Sequence, residues 1–160
     1  LAQKDIDADW TKKNGERHFG YKDHVKCDAD SKLITNYSVT SASVHDSQRC
    51  LVFIGQEDEV LYADSAYSGK PIALALPENC KNQICEKGYR NSPLTSEQKM
   101  NNRRKSRIRC RIEQIFGFMT GAMHGITIRS IGITRAWMNI GITNLVYNFC
   151  RYSYLKGASA

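Results

Sequence analysis

A chain of 160 residues is long enough for one ordinary domain and little more, and its 41% hydrophobic and 24% charged residues exclude a disordered polypeptide. No apolar run approaches the roughly 20 residues of a membrane-crossing helix, and no basic stretch followed by an apolar core opens the chain, so neither a membrane span nor a signal peptide is expected. The net charge of +7 is unevenly spread: residues 1–98 carry 12 Lys/Arg and 15 Asp/Glu, a net of −3, whereas residues 99–160 carry 11 Lys/Arg and the single acid Glu113, a net of +10.

A segregated positive field of that size favours a polyanionic partner such as nucleic acid. The first residue is Leu1 and not Met, as in a fragment or a processed chain. The six cysteines form no CxxC pair and no zinc-ligand spacing with His, Cys80 and Cys85 being the closest at CxxxxC. They read as free, mostly buried thiols, as in a reducing cytoplasm.

In chain order, residues 1–18 are polar and rich in Asp and Lys, and read as a loop. Residues 19–28 (FGYKDHVKCD) alternate as a strand does, with Phe19, Tyr21, Asp23, Val25 and Cys27 on one side. The turn Asp28-Ala-Asp30-Ser31 and the β-rich run 33–40 complete a hairpin. Ser43-Val-His-Asp46 offers caps for a helix over about 45–55. Residues 59–63 (EVLYA) predict a buried strand ending at Asp64. Gly69-Lys70-Pro71 opens a helix through Leu76, and 83–86 reads as another short strand.

Thr95 or Ser96 caps a long helix over 96–119, whose apolar positions Ile108, Ile112, Ile115 and Met119 form one stripe. That stripe is core rather than a membrane-binding face. Residues 121–132 form a loop with an extended GITIRS piece. The helix over 133–155 is apolar nearly all round (Ile133, Ala136, Trp137, Ile140, Leu145, Val146, Tyr147, Phe149) and is expected to be buried. Strands early and helices late indicate an α/β or α+β sandwich.

Two acids stand out. Asp64 follows a buried apolar strand, at the edge where open α/β sheets bind ligands, although a turn or capping Asp explains the same position. Glu113 lies one helical turn after Arg109, and an i,i+4 ion pair is its plain explanation. Its surroundings argue for more: Lys99, Arg103, Arg104, Lys105, Arg107, Arg109 and Arg111 fall within 13 positions with no acid among them. A carboxylate inside a face that grips phosphates can hold a cation against them. Phosphodiester cleavage develops charge on several oxygens at once, which divalent ions stabilise. Mg²⁺ takes oxygen ligands, so Asp and Glu are the residues to supply them, while Lys and Arg grip the backbone. His24 and His45 read as surface or hydrogen-bonding histidines, Trp137 and Tyr147 as core, and Lys87 and Arg90 as solvated surface.

The ordered segments DADWTKKNGERHFGYKDHVKCD, NYSVTSASVHDSQ, YADSAYSGK, ICEKGYRN, NNRRKSRIRCRIEQIFGFM and GITNLVYNFCRY resemble the catalytic region of bacterial insertion-sequence transposases of the family named for insertion sequence five, from about residue 4 to 154. The resemblance implies a ribonuclease-H-like mixed α/β fold flanked by helices, a DDE triad, Mg²⁺ or Mn²⁺ as cofactor, and transposition by nicking and strand transfer. It implies that Asp64 in YADSAY is the middle Asp and Glu113 in RIEQIFG the Glu, both metal ligands, with Arg109 matching the Arg four positions earlier. Two positions depart from the broader signature: Ser106 stands where a Tyr is expected and Thr120 where a Lys or Arg is expected. The family's first Asp lies upstream of the DADWTKK-like segment, so the chain is expected to lack the opening strand and that Asp. Asp5, Asp7 and Asp9 read as loop and do not replace it. Asp46 matches a recurrent family position and reads as a helix-cap or hairpin contact.

The combined reading is a DDE transposase catalytic domain over 19–155, preceded by the polar loop 1–18 and followed by a tail, 156–160, and truncated and inactive by itself. Arg103, Arg104, Lys105, Arg107, Arg109 and Arg111 are expected to contact DNA, both element terminal repeats and target. The full-length protein is expected to be a homo-oligomer with no membrane association. A non-catalytic DNA-binding remnant and a ribonuclease-H-like nuclease are the competing readings.

Overall fold

The computed structural model describes residues 4–13, 15–125 and 127–158, and it is a mixed α/β structure with one antiparallel and one parallel sheet accompanied by helices. It divides into two compact units, one made of the residues up to His45 together with those from Gln114 onward, the other of Asp46–Glu113.

The first unit holds a three-stranded antiparallel sheet, β1 (Asp9–Lys13), β2 (Glu16–Cys27) and β3 (Ile34–Ser41). The expected hairpin is present, with β2 and β3 in register from Tyr21 opposite Ser41 to Cys27 opposite Ile34 and a bulge at Lys26/Cys27. Its connection is built as the sequence implied: Asp28 Oδ1 accepts from the Ser31 N–H at 2.7 Å and from its hydroxyl at 2.5 Å. The loop expected over 1–18 is corrected, because residues 9–13 are a strand paired with the first half of β2, Asp9 opposite Gly20 to Lys13 opposite Glu16. DWTKK has almost no apolar alternation. Its strand form comes from the partner ladder and from Trp10 tilted against Phe19, ring centroids 5.2 Å apart. Gly20, at φ +147°, is where β2 passes from one partner to the other: it lies opposite Asp9, and its carbonyl accepts from the Ala42 N–H.

Helix α5 (Ile133–Ala158) docks on β3 through polar contacts along its length. Asn148 takes both backbone groups of Ile34, accepting from its N–H and donating to its carbonyl, each at 2.8 Å. The Tyr147 hydroxyl donates to the Lys32 carbonyl and Arg151 Nε to that of Ser31. At the other end, the Asp5 and Asp7 carboxylates accept from the N–H groups of Gly132 and Ile133, where a helix N-terminus favours negative charge. Ala136, Ile140, Asn144 and Tyr147 are buried, but the all-round burial expected of this helix is corrected: Trp137, Met138, Ile142, Leu145, Val146 and Phe149 are exposed. One sheet covers one face of a helix and no more. The helix also continues through 156–158, while residues 159–160 of the predicted tail lie outside the described residues. Residues 127–130 of GITIRS carry no strand, and Ile126 lies outside the described residues.

The second unit begins with α1 (Ser47–Phe53) and continues to β4 (Val60–Leu61), a 3₁₀ turn (Ser65–Tyr67), α2 (Lys70–Ala75), β5 (Lys81–Asn82) and α3 (Ser96–Arg109). Cys50, Ile72 and Ile84 are its buried centre, with Ile54, Leu61, Ala63 and Tyr67 packed against them. The second strand lies two residues before the predicted 83–86, but the pairing spans both segments: the N–H groups of Lys81, Gln83 and Cys85 donate to the carbonyls of Glu59, Leu61 and Ala63. The helix predicted over 96–119 is corrected to two, α3 and α4 (Arg111–Gly121), because the hydrogen-bond ladder is interrupted at Cys110. Cys110 keeps near-helical angles (φ −62°, ψ −10°), and the Glu113 N–H reaches back only three residues to its carbonyl. The predicted cap is present: Thr95 and Gln98 exchange side-chain and backbone bonds in a capping box. Of the predicted stripe, Ile115 and Met119 are buried and Ile108 and Ile112 half-buried.

Candidate functional site

The parallel pairing of 59–63 with 81–85 carries the chain to Asp64 at the C-terminal edge of the sheet, where open α/β sheets bind ligands. Asp64 also caps the 3₁₀ turn, its Oδ1 accepting from the Ser65 N–H at 2.5 Å. The residue is exposed. The capping and ligand readings therefore do not compete: one oxygen orients the carboxylate, and the group still faces solvent.

Tyr67, half-buried three residues on, has its hydroxyl pushed up to about 12, first by burial and then by the negative charge of Asp46, Cys50 and Asp64. Asp46 and Asp64 thus both act on the same phenol through their charge. Asp46 occupies the cap position of α1, but its carboxylate makes no capping bond there.

Glu113 belongs to the first turn of α4, a position the unbroken 96–119 helix had hidden. An acid there is favoured by the helix dipole. Its Oε1 lies 3.0 Å from Arg109 Nη2, across the Cys110 break. The ion pair predicted by the i,i+4 spacing is present, with the Glu113 side chain 62% exposed and that of Arg109 26%. At that exposure the pair adds a few tenths of a kcal/mol and leaves the carboxylate reachable.

Helix α3 contains no buried residue and is held by polar contacts to the segment that follows β5. Asn102 accepts from the Glu86 N–H at 2.8 Å and donates to its carbonyl at 3.0 Å. Lys105 Nζ donates to the Ile84 carbonyl at 3.0 Å and lies 3.7 Å from Glu86 Oε1. Ser106 Oγ is 3.8 Å from Cys85 Sγ. A continuous path follows inside this unit, from Asp64 through Ala63 and Cys85 to Ser106, seven residues before Glu113.

Of the six predicted DNA contacts, Arg103, Arg104 and Arg107 are exposed, while Arg109 and Arg111 are half-buried. Lys105 is tied to Ile84 and Glu86 and turned inward. Asn102 carried one weak sequence signal, an Asn pair inside a helix, where this residue is a poor choice unless its amide has a task. His24 is buried against Thr40 at 2.8 Å, agreeing with the hydrogen-bonding reading, and His45 is exposed. Tyr147 is buried as expected, whereas Trp137 is 42% exposed and meets Tyr37 edge-on. Among the described residues no disulfide joins any of the six cysteines, and Cys50 and Cys85 are the buried ones.

Asp64 and Glu113 offer hard carboxylate oxygens, the donor type that Mg²⁺ or Mn²⁺ takes. Among the described residues no cluster of three His, Cys, Asp or Glu side chains forms a ready metal cage, so these two acids would supply part of a ligand set. No helix among the described residues is long and apolar enough to cross a membrane.

The family model described as a transposase DDE domain matches residues 2–149. Among curated proteins, the transposase for insertion sequence element IS1106 of Neisseria meningitidis serogroup B is 34% identical over 117 residues. That segment is 71% of this chain and 40% of the relative, so the chain spans less than half of the relative's length. No solved structure gives a significant match.

Proposed function

The chain belongs to the transposase DDE-domain family, and on that premise we propose that it is catalytic-domain sequence of an insertion-sequence transposase, of the kind named for insertion sequence five, with a ribonuclease-H-like core over 19–155. Its chemistry is DNA nicking followed by strand transfer. Asp64 and Glu113 are two of the three triad carboxylates. A bound Mg²⁺ or Mn²⁺ would stabilise the charge that develops on the phosphoryl oxygens. Element ends and target DNA are its partners, the setting is cytoplasmic, and the full-length protein works as an oligomer.

One observation carries this reading. The segment paired beside Asp64 is the segment bonded to α3, so strand-end Asp and helix Glu belong to one continuous framework. From Ser106 to Glu113 is about 10 Å along a helix. The exposed Arg103, Arg104 and Arg107 stand about two to three turns before Glu113 and hold phosphates, and Arg109 keeps the carboxylate oriented until a cation takes it over. Lys105, tied to Glu86, acts there as an anchor of α3 more than as a DNA contact.

Manganese binding read by electron paramagnetic resonance tests the assignment on the chain itself. Asp64→Asn and Glu113→Gln should each weaken it at least tenfold while gel shifts of DNA persist; unchanged metal binding in both variants would sink the assignment. In a protein that also carries the first Asp, both variants should lose nicking of supercoiled DNA. Joining of a 3′-hydroxyl end to target DNA separates a transposase from a nuclease. The incomplete ligand cluster favours a second reading, a DNA-binding remnant without catalysis. That reading predicts gel shifts with no manganese bound by any variant.

A further inference from the structure

Two buried side-chain oxygens among the described residues have no hydrogen-bond partner, Asp23 Oδ2 on β2 and Asn144 Oδ1 on α5. They belong to side chains already in contact, since Asn144 Nδ2 donates to Asp23 Oδ1 at 3.3 Å. Asn144 is 3% exposed. Buried acceptors left without donors are costly, and a carboxylate more so than an amide. A single proton satisfies both atoms. On Oδ2 it turns Asp23 into a donor aimed at Asn144 Oδ1, and acid and amide then share two parallel hydrogen bonds.

We propose that Asp23, once protonated, closes with Asn144 as a neutral acid–amide clasp, a pH-sensitive fastening between sheet and helix. Burial acts in the same direction, pushing the Asp23 carboxyl up to about 6, with the bond from Asn144 opposing it and no neighbouring charge contributing. The titratable groups nearest in register are Tyr21, with its partner Asp5, and Cys27 on the same side of β2, and Tyr37 two residues from Val39, which lies opposite Asp23; on α5, Tyr147 and Arg151 follow Asn144 by about one and two turns. Tyr21 and Tyr147 are pushed further up by burial, and Asp5 is held down, first by the Tyr21 hydroxyl. His24 points to the other face of β2 and is bonded to Thr40. The folded pKa is raised above the unfolded one, so the folded chain holds the extra proton between about pH 4 and 6. Stability contributed by the clasp is complete below that window and is lost as pH rises through it.

Thermal unfolding of the wild-type chain and of Asp23→Asn, compared from pH 4.5 to 8, tests the proposal. An Asn at 23 donates to Asn144 without any charge. At pH 7.5 the variant should therefore melt several degrees above the wild type, and the gap should close as pH falls to 4.5. A variant that melts below the wild type at pH 7.5, or a gap that does not change with pH, overturns the clasp. Should Asp23→Asn fail to fold, the carboxyl-carbon NMR signal of Asp23 in the wild type decides: a midpoint near 6 supports it, and a midpoint in the ordinary carboxylate range overturns it.

Discussion

The two units fasten their helices by the same device and back it with different amounts of core. In the first, Asn148 on α5 takes both the N–H and the C=O of Ile34; in the second, Asn102 on α3 does the same to Glu86. In each, one amide does what a neighbouring strand would do, satisfying a backbone residue that a helix covers. Behind Asn148 lie the buried Ala136, Ile140, Asn144 and Tyr147, whereas α3 buries nothing. A helix whose solvent side carries Arg103, Arg104 and Arg107 cannot also be greasy on most sides. The second unit therefore relies on polar anchoring where the first adds hydrophobic burial. The difference teaches that the arginine-bearing helix α3 is the more loosely fastened one.

Truncating the core of the first unit should have the largest effect on stability. Ile115→Ala removes a side chain with 0% exposure and should cost about 2–5 kcal/mol, read as a fall in the denaturant midpoint. Asn148→Ala should cost about 2 kcal/mol, because it strands two backbone groups under a packed helix. Asn102→Ala should cost about 1 kcal/mol, since water can reach the Glu86 backbone once α3 lifts. Equal costs for the two amide variants would break the comparison. Thr95→Ala, which removes one half of the capping box on α3, should likewise cost about 1 kcal/mol, with the loss concentrated in amide-exchange protection of the first turn. Arg109→Ala should change stability by only a few tenths of a kcal/mol while weakening DNA binding severalfold. A large fall in melting temperature in that variant would mean the ion pair is structural.

The local structure around the two candidate acids was legible in the residues. The apolar run 59–63 pairs as a strand up to Asp64, and Glu113, alone in a tract of arginines, pairs with Arg109. The capping box, the hairpin turn and the Arg109–Glu113 pair were equally legible, because each depends on residues within four positions of one another. Strand β1 was not, since a polar segment becomes a strand through its partner rather than its own pattern. The interruption at Cys110, which puts Glu113 in a first helical turn, had no Gly or Pro to announce it.

The sequence by itself determined the segregation of charge, the two carboxylates and the family they resemble, all properties carried by residue identity and spacing. Only tertiary structure decided which face of α5 is buried, that Lys105 turns inward while its arginine neighbours do not, and that Asp23 meets Asn144. Those outcomes depend on groups 19 to 121 positions apart in the chain. Period and propensity describe only what is nearby, so such meetings are fixed by packing, where every buried polar group must find its partner.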